Sequence, residues 1–463
     1  IEMKILLVSP ACGKWKGIGR RKVFNGKTFR FSMLSLLTVA ELSPPDADIT
    51  IVDEQVEDIP FDEQFDVVGI TAMTATAPRA YEIAARFKQR HIPVVLGGFH
   101  GSLNTEEAAG HVDAVVVGTA FDAWPKLLSD VQSGRLEKIY HGNPDGRVPA
   151  SLPRHLLSGG KYVTMNATYA TLGCKNRCHF CSISAFHKAK HYTRDADEVA
   201  DEIASFKKRF FIFVDDNLTQ DREYIFRLLP KLAPLKKKWV TQASVDIADD
   251  DELLELMRAA GCVGVFVGLE SFNDKALASQ DKAIKSPELY RQAVKKLHSY
   301  GMFVESGIMF GFDDDDVKVF RSTLNMLEDI GIDAVLISIL TPVSGTGLYE
   351  EMKDRILDAN WAHYDYRHVV FEPRQMSAEQ LQAGTDWVIR RFYSPARIFK
   401  RWLRWLFMPG GWRNFMYLLV PNLAYYGRTK RFRIKGYDPS ETVGGRLEAE
   451  IMSPTYACEP VEA

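Results

Sequence analysis

The stretch YATLGCKNRCHFCSIS, residues 169–184, contains three of the six cysteines of the chain, Cys174, Cys178 and Cys181. Structural zinc takes four nitrogen or sulfur ligands, and Cys178, His179 and Cys181 lie too close together in sequence for the usual pair of zinc knuckles. A disulfide would leave one thiol over and suits a secreted protein. Three thiolates on a short loop after a strand suit a 4Fe-4S cluster in which one iron has no protein ligand. The stretch therefore predicts a cluster with an open coordination position.

The overall composition narrows the classes of protein to which the chain can belong. Of its 463 residues, 46% are hydrophobic and 25% are charged, which is typical of a folded protein with sizeable cores. The formal net charge of −2 gives no overall attraction to nucleic acid. The cysteine spacing lacks the framework of a secreted disulfide protein, and no apolar run reaches the length of about 18 residues that would span a bilayer. We therefore expect a cytoplasmic protein without a transmembrane segment.

Residues 1–125 alternate short apolar runs with amphipathic helical stretches. The apolar runs are KILLVSP, ADITIVDE, VVGITAMT, PVVLGG and AVVVG. Such runs, bounded by Gly or Pro and separated by helices, indicate a parallel sheet covered on both faces, which is a doubly wound, Rossmann-like α/β domain. Sheets of this kind bind ligands at the carboxyl ends of their strands. The residues expected at these ends are Ser9, Asp53, Thr71, Gly97, Gly98 and Gly118.

A second α/β series follows a predicted linker, residues 126–160, that is rich in Gly, Pro and polar residues. Its strand-like runs, within residues 161–370, are YVTMNATYA, FFIFVDDN, KWVTQASVD, VGVFVGLES, VESGIMFGF and AVLISILTP. Six repeats are too few for a complete eight-stranded barrel but suit a partial (β/α)6 barrel of the TIM type. Functional residues are then expected just past the strand ends, where the three cysteines also lie.

The CxxxCxxC spacing at the end of the first of these strands resembles that of the radical SAM superfamily, and the resemblance extends across residues 160–345. It implies an enzyme whose open iron binds the amino and carboxylate groups of S-adenosylmethionine (SAM). The reduced cluster would cleave SAM to a 5′-deoxyadenosyl radical. The resemblance places the following residues at the SAM site: Phe180, Asp215, Asp216, Asn217, Ser244, Asp246, Glu270, Ser271, Gly307, Gly311 and Thr341.

Several of these positions also have a purely structural interpretation. A carboxylate of FVDDN can accept charge-assisted bonds from the SAM ammonium, but one residue of this group is expected to cap the next helix. Burial of Glu270 without a partner would be costly, which favours a cationic or hydroxyl-bearing ligand. The glycines of GIMFGF fit either a close approach to adenine or a tight strand-to-loop turn. The sequence TPVSGTGLYEEM resembles the family's TPxPGT, with Ser344 at the usual proline position.

A doubly wound domain upstream of such a barrel resembles the cobalamin-binding branch of the superfamily. Thr71–Met73 and Gly97–Gly98 are separated like the SxL and GG motifs of that branch. The branch's DxHxxG motif is missing, because DEQVED keeps Asp53 but has Gln55 at the histidine position and Asp58 at the glycine position. The resemblance implies base-off cobalamin without a lower protein ligand; the alternative is a cap that shapes the substrate cavity. The residues implied for cobalamin are Ser9, Thr71, Met73, Gly97, Gly98 and Gly118.

Residues 371–437 are predicted to be a helical extension, and residues 438–463 a polar tail. Residues 390–435 contain twelve Lys or Arg and no Asp or Glu, interleaved with aromatic residues. Such helices can lie in a bilayer interface, whereas RNA binding and a helix packed on the barrel are the alternatives. The region resembles the C-terminal extension of cobalamin-type radical SAM enzymes that modify hopanoids and other lipids. That resemblance implies a hydrophobic substrate and peripheral contact with the inner face of a membrane.

These features together predict cobalamin-dependent C-methylation of an unactivated carbon in a hydrophobic, lipid-like substrate. The expected partners are that substrate and an electron donor such as flavodoxin or ferredoxin, without nucleic acid. Radical cyclisation, ring contraction or carbon–carbon coupling without methyl transfer is the alternative enzyme function. The alternative outside enzymes is a cobalamin- or RNA-binding protein with a structural cluster, although such a protein has no need of an open iron.

Overall fold

The computed structural model describes residues 3–11, 28–31, 33–143, 149, 151–157, 162–164, 166–273 and 286–431. The predicted polar tail, the last residues of the helical extension and parts of the predicted linker lie outside these residues. The chain forms two compact units. Unit 1 comprises residues 1–215, 342–351 and 359–365, and unit 2 comprises residues 216–341, 352–358 and 366–463.

Unit 1 contains a six-stranded parallel sheet with the strand order β3-β1-β4-β5-β6-β7. Its strands are β1 (Lys4–Ser9), β3 (Asp48–Asp53), β4 (Val67–Thr71), β5 (Val94–Gly97), β6 (Ala114–Val117) and β7 (Ile139–His141). Its helices include α1 (Leu34–Glu41), α2 (Ala77–Lys88), α3 (Gly98–Leu103), α4 (Thr105–His111) and α5 (Ala123–Gln132). A separate parallel pair is formed by β2 (Thr28–Phe31) and β8 (Tyr162–Thr164).

Alternate residues of the strands supply two apolar cores, one on each face of this sheet. Ile5 and Leu7 of β1 belong to one core, whereas the intervening Leu6 and the following Val8 belong to the other. Burial of each such side chain contributes about 1.5–3 kcal/mol relative to its exposure to water. Because both faces are covered, the strands read as continuous apolar runs, and the prediction of a doubly wound domain is confirmed.

The last strand of the sheet lies in the segment predicted as a linker. Residues 126–160 include most of α5 and all of β7, so the linker prediction is wrong for this part of the chain. Strand β7 has the burial pattern exposed, buried, exposed, and only Tyr140 is buried. The Tyr140 hydroxyl donates a hydrogen bond of 2.9 Å to Asp130 of α5. A single buried ring gives no apolar run in the sequence, which is why the strand was missed.

A second six-stranded sheet has the order β16-β15-β14-β13-β12-β9. Its strands are β9 (Ala167–Thr168), β12 (Phe210–Phe213), β13 (Lys238–Ala243), β14 (Cys262–Glu270), β15 (Phe303–Phe310) and β16 (Ala334–Ile339). The following helices alternate with the strands: α7 (Ala196–Ser205), α8 (Arg222–Leu232), α9 (Asp251–Ala259), α10 (Pro287–Ser299) and α11 (Val319–Ile330). The predicted six-stranded partial barrel is confirmed, although of YVTMNATYA only β9 joins this sheet.

The extension is helical, as predicted, and comprises α13 (Ala378–Phe392), α14 (Pro395–Leu406) and α15 (Gly411–Arg431). Helix α13 begins with a capping box between Ser377 and Gln380. The buried carboxylate of Asp333 accepts hydrogen bonds from Arg404 of α14 at 2.8 Å and from His298 at 2.7 Å. The side chain of Asn422 of α15 donates to the Asp333 carbonyl at 3.1 Å. At least one basic residue of the extension, Arg404, therefore holds its helix against the rest of unit 2.

Candidate cofactor sites

The three clustered cysteines of unit 1 lie on the loop between β10 (Thr171–Gly173) and α6 (Ser182–His187). Cys174 follows β10 directly, and Cys181 is the N-cap residue of α6. The Cys181 amide donates to the Cys178 carbonyl at 3.0 Å, which makes this part of the loop a tight turn. None of the described cysteines forms a disulfide. Across the described residues, no three His, Cys, Asp or Glu side chains are gathered as a metal-ion site. The donor chemistry of three thiols on one loop fits an iron–sulfur cluster.

A glycine and a buried carboxylate fix the start of the cysteine loop. Gly173 has φ +80°, and a Cβ atom there would lie 2.2 Å from the carbonyl oxygen of Lys190. Lys190 precedes β11 (His191–Thr193), the antiparallel partner of β10. The carboxylate of Asp215 accepts bonds from the amides of Ala170 and Thr171 at 3.0 and 2.6 Å. Charge-assisted bonds of this kind are short and strong. Asp215 therefore anchors the segment that leads into the cysteine loop.

None of the three FVDDN residues caps the following helix. The N-cap of α8 is Asp221, whose carboxylate accepts from the Tyr224 amide at 2.9 Å. The capping prediction is therefore wrong, because three further residues separate Asn217 from the helix cap. Asp215 binds the backbone before the cysteine loop, and Asp216 is half-buried. A contact of either carboxylate with SAM stays a prediction.

The segment after β16 also supports the cysteine loop within unit 1. Helix α12 (Gly347–Met352) begins in the TPVSGTG sequence, and the Leu348 amide donates to the His179 carbonyl at 3.0 Å. A Cβ atom at Gly347 would lie 3.4 Å from the His179 Cβ, so the two backbones run close together. His179 is the residue after Cys178 in the motif. Thr341, which was predicted for the SAM site, belongs to unit 2, is buried and donates its hydroxyl to the Ile339 carbonyl at 3.0 Å.

In unit 2, the structure brings two of the predicted SAM residues into direct contact. The Asn217 amide group donates to the Ser244 hydroxyl at 2.8 Å, and both residues follow strand ends. Asp246, two residues further on, is exposed. Ser271 is buried after β14, and its hydroxyl accepts from the Asn273 amide at 3.0 Å. The carboxyl edge of this sheet therefore presents hydroxyl, amide and carboxylate groups.

Glu270 and Gly307 form a second pair of predicted residues in unit 2. Glu270 is half-buried and not fully buried as predicted, and it has φ +65°, which is rare for a residue with a side chain. Backbone strain of this type costs of order 1–3 kcal/mol and is concentrated at functional sites. A Cβ atom at Gly307 would lie 3.9 Å from a carboxylate oxygen of Glu270. The same Cβ atom would lie 3.1 Å from the Phe266 ring, so the missing side chain at Gly307 mainly makes room for that ring.

For Gly311 the structure favours the turn interpretation over contact with adenine. Gly311 has φ +110°, and a Cβ atom there would meet Leu381 and Phe371 at 3.0 Å. The carboxylate of Asp315 accepts from the Gly311 and Phe312 amides at 2.9 and 3.1 Å and so closes the turn. Burial raises the pKa of Asp315 to about 6. Sequence reasoning missed Asp315, whose signal is an acid placed four residues after the glycine in GFDDDD.

The residues predicted for cobalamin lie together along the carboxyl edge of the unit 1 sheet. At or next to the ends of β1, β4, β5 and β6 lie Ser9, Thr71, Gly97, Gly98 and Gly118. Met73 lies just beyond β4, and its side chain is 48% exposed. Gly98 has φ +91°, and a Cβ atom there would lie 2.9 Å from the Thr71 hydroxyl. At Gly97 the nearest atom to such a Cβ is 3.9 Å away. Gly98 therefore allows the helix to start close against the end of β4, whereas Gly97 leaves open space at this edge, which fits the nucleotide tail of cobalamin.

One residue that the sequence did not single out connects the glycine turns of this edge. The Ser102 hydroxyl donates to the Gly98 carbonyl at 2.9 Å and accepts from the Gly118 amide at 2.9 Å. The available signal was the spacing of four residues between Gly98 and Ser102, which is one helical turn. Ser102 therefore holds two of the predicted cobalamin positions in a fixed relation.

The DEQVED segment serves as a structural tie of unit 1. Asp53 is fully buried and accepts from the Gln55 amide at 3.1 Å and from the Tyr162 hydroxyl at 3.2 Å. Glu54 is also buried and forms an ion pair of 2.7 Å with Arg79. Gln55, at the position of the missing histidine, is half-buried. The segment thus keeps its acidic residue for the fold and offers no imidazole at this position.

Comparisons with known proteins identify the family of each domain. Residues 168–327 match the radical SAM superfamily, and residues 38–128 match the B12 binding domain. The bacteriochlorophyllide d C-12(1)-methyltransferase of Chlorobaculum tepidum is 32% identical over 386 residues, which cover 80% of this chain and 84% of that protein. The chain therefore belongs to the radical SAM superfamily, in the branch that carries a B12 binding domain. It is an enzyme whose cofactors are a 4Fe-4S cluster, SAM and cobalamin.

A more distant relative and a solved structure extend the comparison. The hopanoid C-2 methylase of Rhodopseudomonas palustris is 25% identical over 389 residues, which cover 79% of this chain and 72% of that protein. The radical SAM methyltransferase TsrM from Kitasatospora setae, solved with cobalamin and a 4Fe-4S cluster bound, superposes with a TM-score of 0.60. That match covers 76% of this chain and 78% of TsrM at 15% identity, and it shows the same fold.

Proposed function

We propose that this protein methylates an unactivated carbon of a large hydrophobic substrate, with SAM as the source of the methyl group. The proposal rests on the occurrence, in one chain, of the cysteine loop and the glycine-lined cobalamin edge. The relative at 32% identity is named for a bacteriochlorophyllide and a more distant one for a hopanoid, and both of these compounds are large and mainly apolar. A flavodoxin- or ferredoxin-like electron donor and a cytoplasmic location complete the proposal.

The residues of this chain would bind and orient the cofactors. Cys174, Cys178 and Cys181 would ligate the cluster, and the remaining SAM-site residues would hold SAM. When bound, cluster and SAM supply a carbon radical and cobalamin supplies a methyl group. The Asn217–Ser244 pair offers hydrogen-bonding groups, and Glu270 offers a carboxylate for an ammonium or hydroxyl group. This chemistry demands no general base, and we assign none.

Isotope labelling tests the proposed reaction. The reconstituted enzyme would be incubated under reducing, anaerobic conditions with SAM that carries a trideuterated methyl group. Each reaction would also contain one candidate substrate, either a bacteriochlorophyllide or a hopanoid. We expect 5′-deoxyadenosine together with a product that carries the deuterated methyl group. Production of 5′-deoxyadenosine with an unlabelled, rearranged product would contradict methylation and favour radical cyclisation or coupling.

The exposed faces of α14 and α15 support contact with a lipid surface, from which an apolar substrate can be drawn. Large apolar side chains on these helices and on the turn between them are exposed by 37–83%: Phe399, Leu403, Leu406, Phe407, Trp412, Met416 and Leu423. Within each helix they recur at spacings of three, four, seven or eleven residues, which places them on one side. Solvent-exposed apolar groups of this density mark interaction surfaces.

The charges of the same helices contribute less than the sequence suggests. Residues 395–431 contain eight Lys or Arg and no acidic residue, but three of the arginines bind groups of the protein itself. Arg397 binds Glu328, Arg401 binds the Asn422 side chain at 2.9 Å, and Arg404 binds Asp333. Across the described residues, no helix combines the length and apolarity that a bilayer crossing requires. The proposed contact is therefore interfacial and mainly apolar.

Vesicle sedimentation tests this contact. Replacing both Phe407 and Trp412 by serine should lower the partition coefficient onto phosphatidylglycerol-containing vesicles by about a hundredfold or more, because the two rings together contribute about 3–6 kcal/mol on full burial. Leu357→Ser is a matched control, since Leu357 is 60% exposed outside these helices. Equal sedimentation of the double variant and the control would contradict the proposed membrane contact.

A further inference from the structure

Helix α3 of unit 1 packs directly against the helix that follows the cysteine motif. The Phe99 ring of α3 lies 4.7 Å from the Phe186 ring of α6, measured between centroids, at an interplanar angle of 41°. Phe186 is five residues beyond Cys181, which is the N-cap of α6. Aromatic pairs in this distance range stabilise their contact beyond simple area burial. A displacement of α3 would therefore also shift α6 and the end of the cysteine loop.

The same helix makes a second contact that leads back to the loop. Leu103, at the end of α3, packs on the backbone of Gly345, where a Cβ atom would lie 3.1 Å from the Leu103 Cβ. Three residues later, the Leu348 amide donates to the carbonyl of His179, which lies between Cys178 and Cys181. Gly345 has φ +82°, so this close approach is built into the backbone of the segment.

At its other end, α3 is part of the cobalamin edge. It begins at Gly98, and its Ser102 hydroxyl connects the Gly98 and Gly118 turns. His100, fully buried in its middle, bonds to the Tyr81 hydroxyl at 2.8 Å and to the Asn104 amide group at 3.2 Å. Helix α3, which is six residues long, thus contacts the residues of both proposed cofactor sites. It is short enough to move as one rigid piece.

We propose that α3 couples the two cofactor sites, so that cobalamin and the cluster each bind more tightly when the other is present. Cobalamin at the glycine turns restrains α3, and α3 restrains the cysteine loop through Phe99–Phe186 and Leu103–Gly345. Phe99 and Phe186 are thus positioning residues for the cluster. Thermodynamic linkage makes the effect reciprocal, and the packed contacts supply its physical path. This inference rests on the proposed cobalamin edge.

Iron release to a chelator measures the coupling without any turnover. The reconstituted enzyme, with and without bound hydroxocobalamin, would be mixed anaerobically with bathophenanthroline disulfonate, and the rate of iron loss recorded. We expect hydroxocobalamin to slow iron loss by roughly two- to tenfold, the factor that corresponds to one aromatic pair. In Phe99→Ala and Phe186→Ala most of this protection should vanish, although both variants should retain corrin.

A double-mutant cycle and a distant control make the test specific. The variant with both Phe99→Ala and Phe186→Ala should show no larger loss of protection than either single variant, because one contact is removed in each case. Phe399→Ala, at an exposed position of α14, should keep the full protection. If Phe186→Ala fails to hold iron, Phe99→Ala carries the test, since Phe99 lies outside the cysteine loop.

The reciprocal measurement uses the corrin spectrum. Hydroxocobalamin should bind more weakly to Cys178→Ala, which lacks the cluster, by the same factor by which it protects the cluster in the unmodified protein. Corrin that binds but gives no protection, or gives the same protection in Phe99→Ala, would overturn the coupling and leave the proposed function intact. A complete failure to retain corrin would overturn both.

Discussion

The carboxyl edges of the two parallel sheets offer opposite kinds of surface. In unit 1 the edge consists largely of glycine turns, and Gly98 and Gly118 have φ values of +91° and +82°. In unit 2 the corresponding edge presents side chains, including the Asn217–Ser244 pair and the carboxylate of Glu270. A bulky cofactor that enters the sheet needs space, whereas a small zwitterion such as SAM needs hydrogen-bonding groups. The two proposed sites therefore correspond to different sequence signals: missing side chains in one and polar side chains in the other.

The largest expected effect that separates the two sites comes from a cluster ligand. Cys178→Ala should reduce SAM cleavage to background, because a cluster held by two cysteines is not retained. Corrin should still be bound, since the cobalamin edge uses other residues. The assay is anaerobic 5′-deoxyadenosine formation, with Cys262→Ala as the control for a buried cysteine outside the motif. Unchanged 5′-deoxyadenosine formation by Cys178→Ala would refute the assignment of the cluster.

A smaller effect is expected from straining the Gly98 turn of the proposed cobalamin edge. Gly98→Ala places a Cβ atom 2.9 Å from both the Thr71 hydroxyl and the Ala72 carbonyl at φ +91°. Strain of order 1–3 kcal/mol should weaken hydroxocobalamin binding by roughly tenfold and leave the iron content unchanged. Equilibrium dialysis measures the binding. Gly110→Ala of α4 is the matched control, because a Cβ atom there meets nothing within 4 Å. Equal affinities of the two variants for hydroxocobalamin would show that the glycine turn is not part of the cobalamin site.

The smallest effect concerns pH, to which the two edges should respond with opposite signs. Burial lowers the pKa of His100 to about 4, so the folded protein keeps it neutral while the unfolded chain takes up a proton below about 6.5. Its contribution to stability is present above that pH and is lost as the pH falls towards 4. Burial raises the pKa of Asp315 to about 6, so the folded protein binds a proton more readily there than the unfolded chain. That contribution is lost as the pH rises through 6.

Hydrogen exchange measured at pH 7.5 and pH 5.0, corrected for the intrinsic exchange rate, tests these signs. Peptides covering residues 98–111 should lose protection at pH 5.0 by at most about 2 kcal/mol, whereas peptides covering residues 303–316 should gain about 1 kcal/mol. Asp315→Asn should abolish the gain and leave the loss. A change of the same sign in both regions would contradict the assignment of these two groups.

Much of the fold could be predicted because its strands are buried on both faces. The five apolar runs of the first domain became strands. The cysteine loop was expected after the first barrel strand, but it follows β10, which pairs with β11 outside the six-stranded sheet. Strand β7 was missed because its only buried side chain is Tyr140. The helix cap was assigned to the wrong acid because loop length, which places Asp221 at the start of α8, cannot be read from composition.

The family and its cofactors could be predicted from sequence motifs, whereas the residues that support the proposed sites could not. Ser102 and Asp315 bind backbone groups that become neighbours only when the turns form, so the one signal for each, a spacing of four residues from a glycine, was too weak to single them out. Likewise, the arginines of α14 resembled a lipid-binding face, yet Arg404 binds the buried Asp333, which precedes β16 by one residue. Long-range pairs of this kind depend on tertiary packing. Periodicity and spacing do not contain that information.

The most direct test of the central claim is the cofactor content of one preparation. The protein would be purified anaerobically, reconstituted with iron and sulfide in the presence of hydroxocobalamin, freed of unbound cofactor, and analysed for iron, sulfide and corrin per chain. The account predicts about four irons, about four sulfides and about one corrin. Iron and sulfide without retained corrin would contradict it.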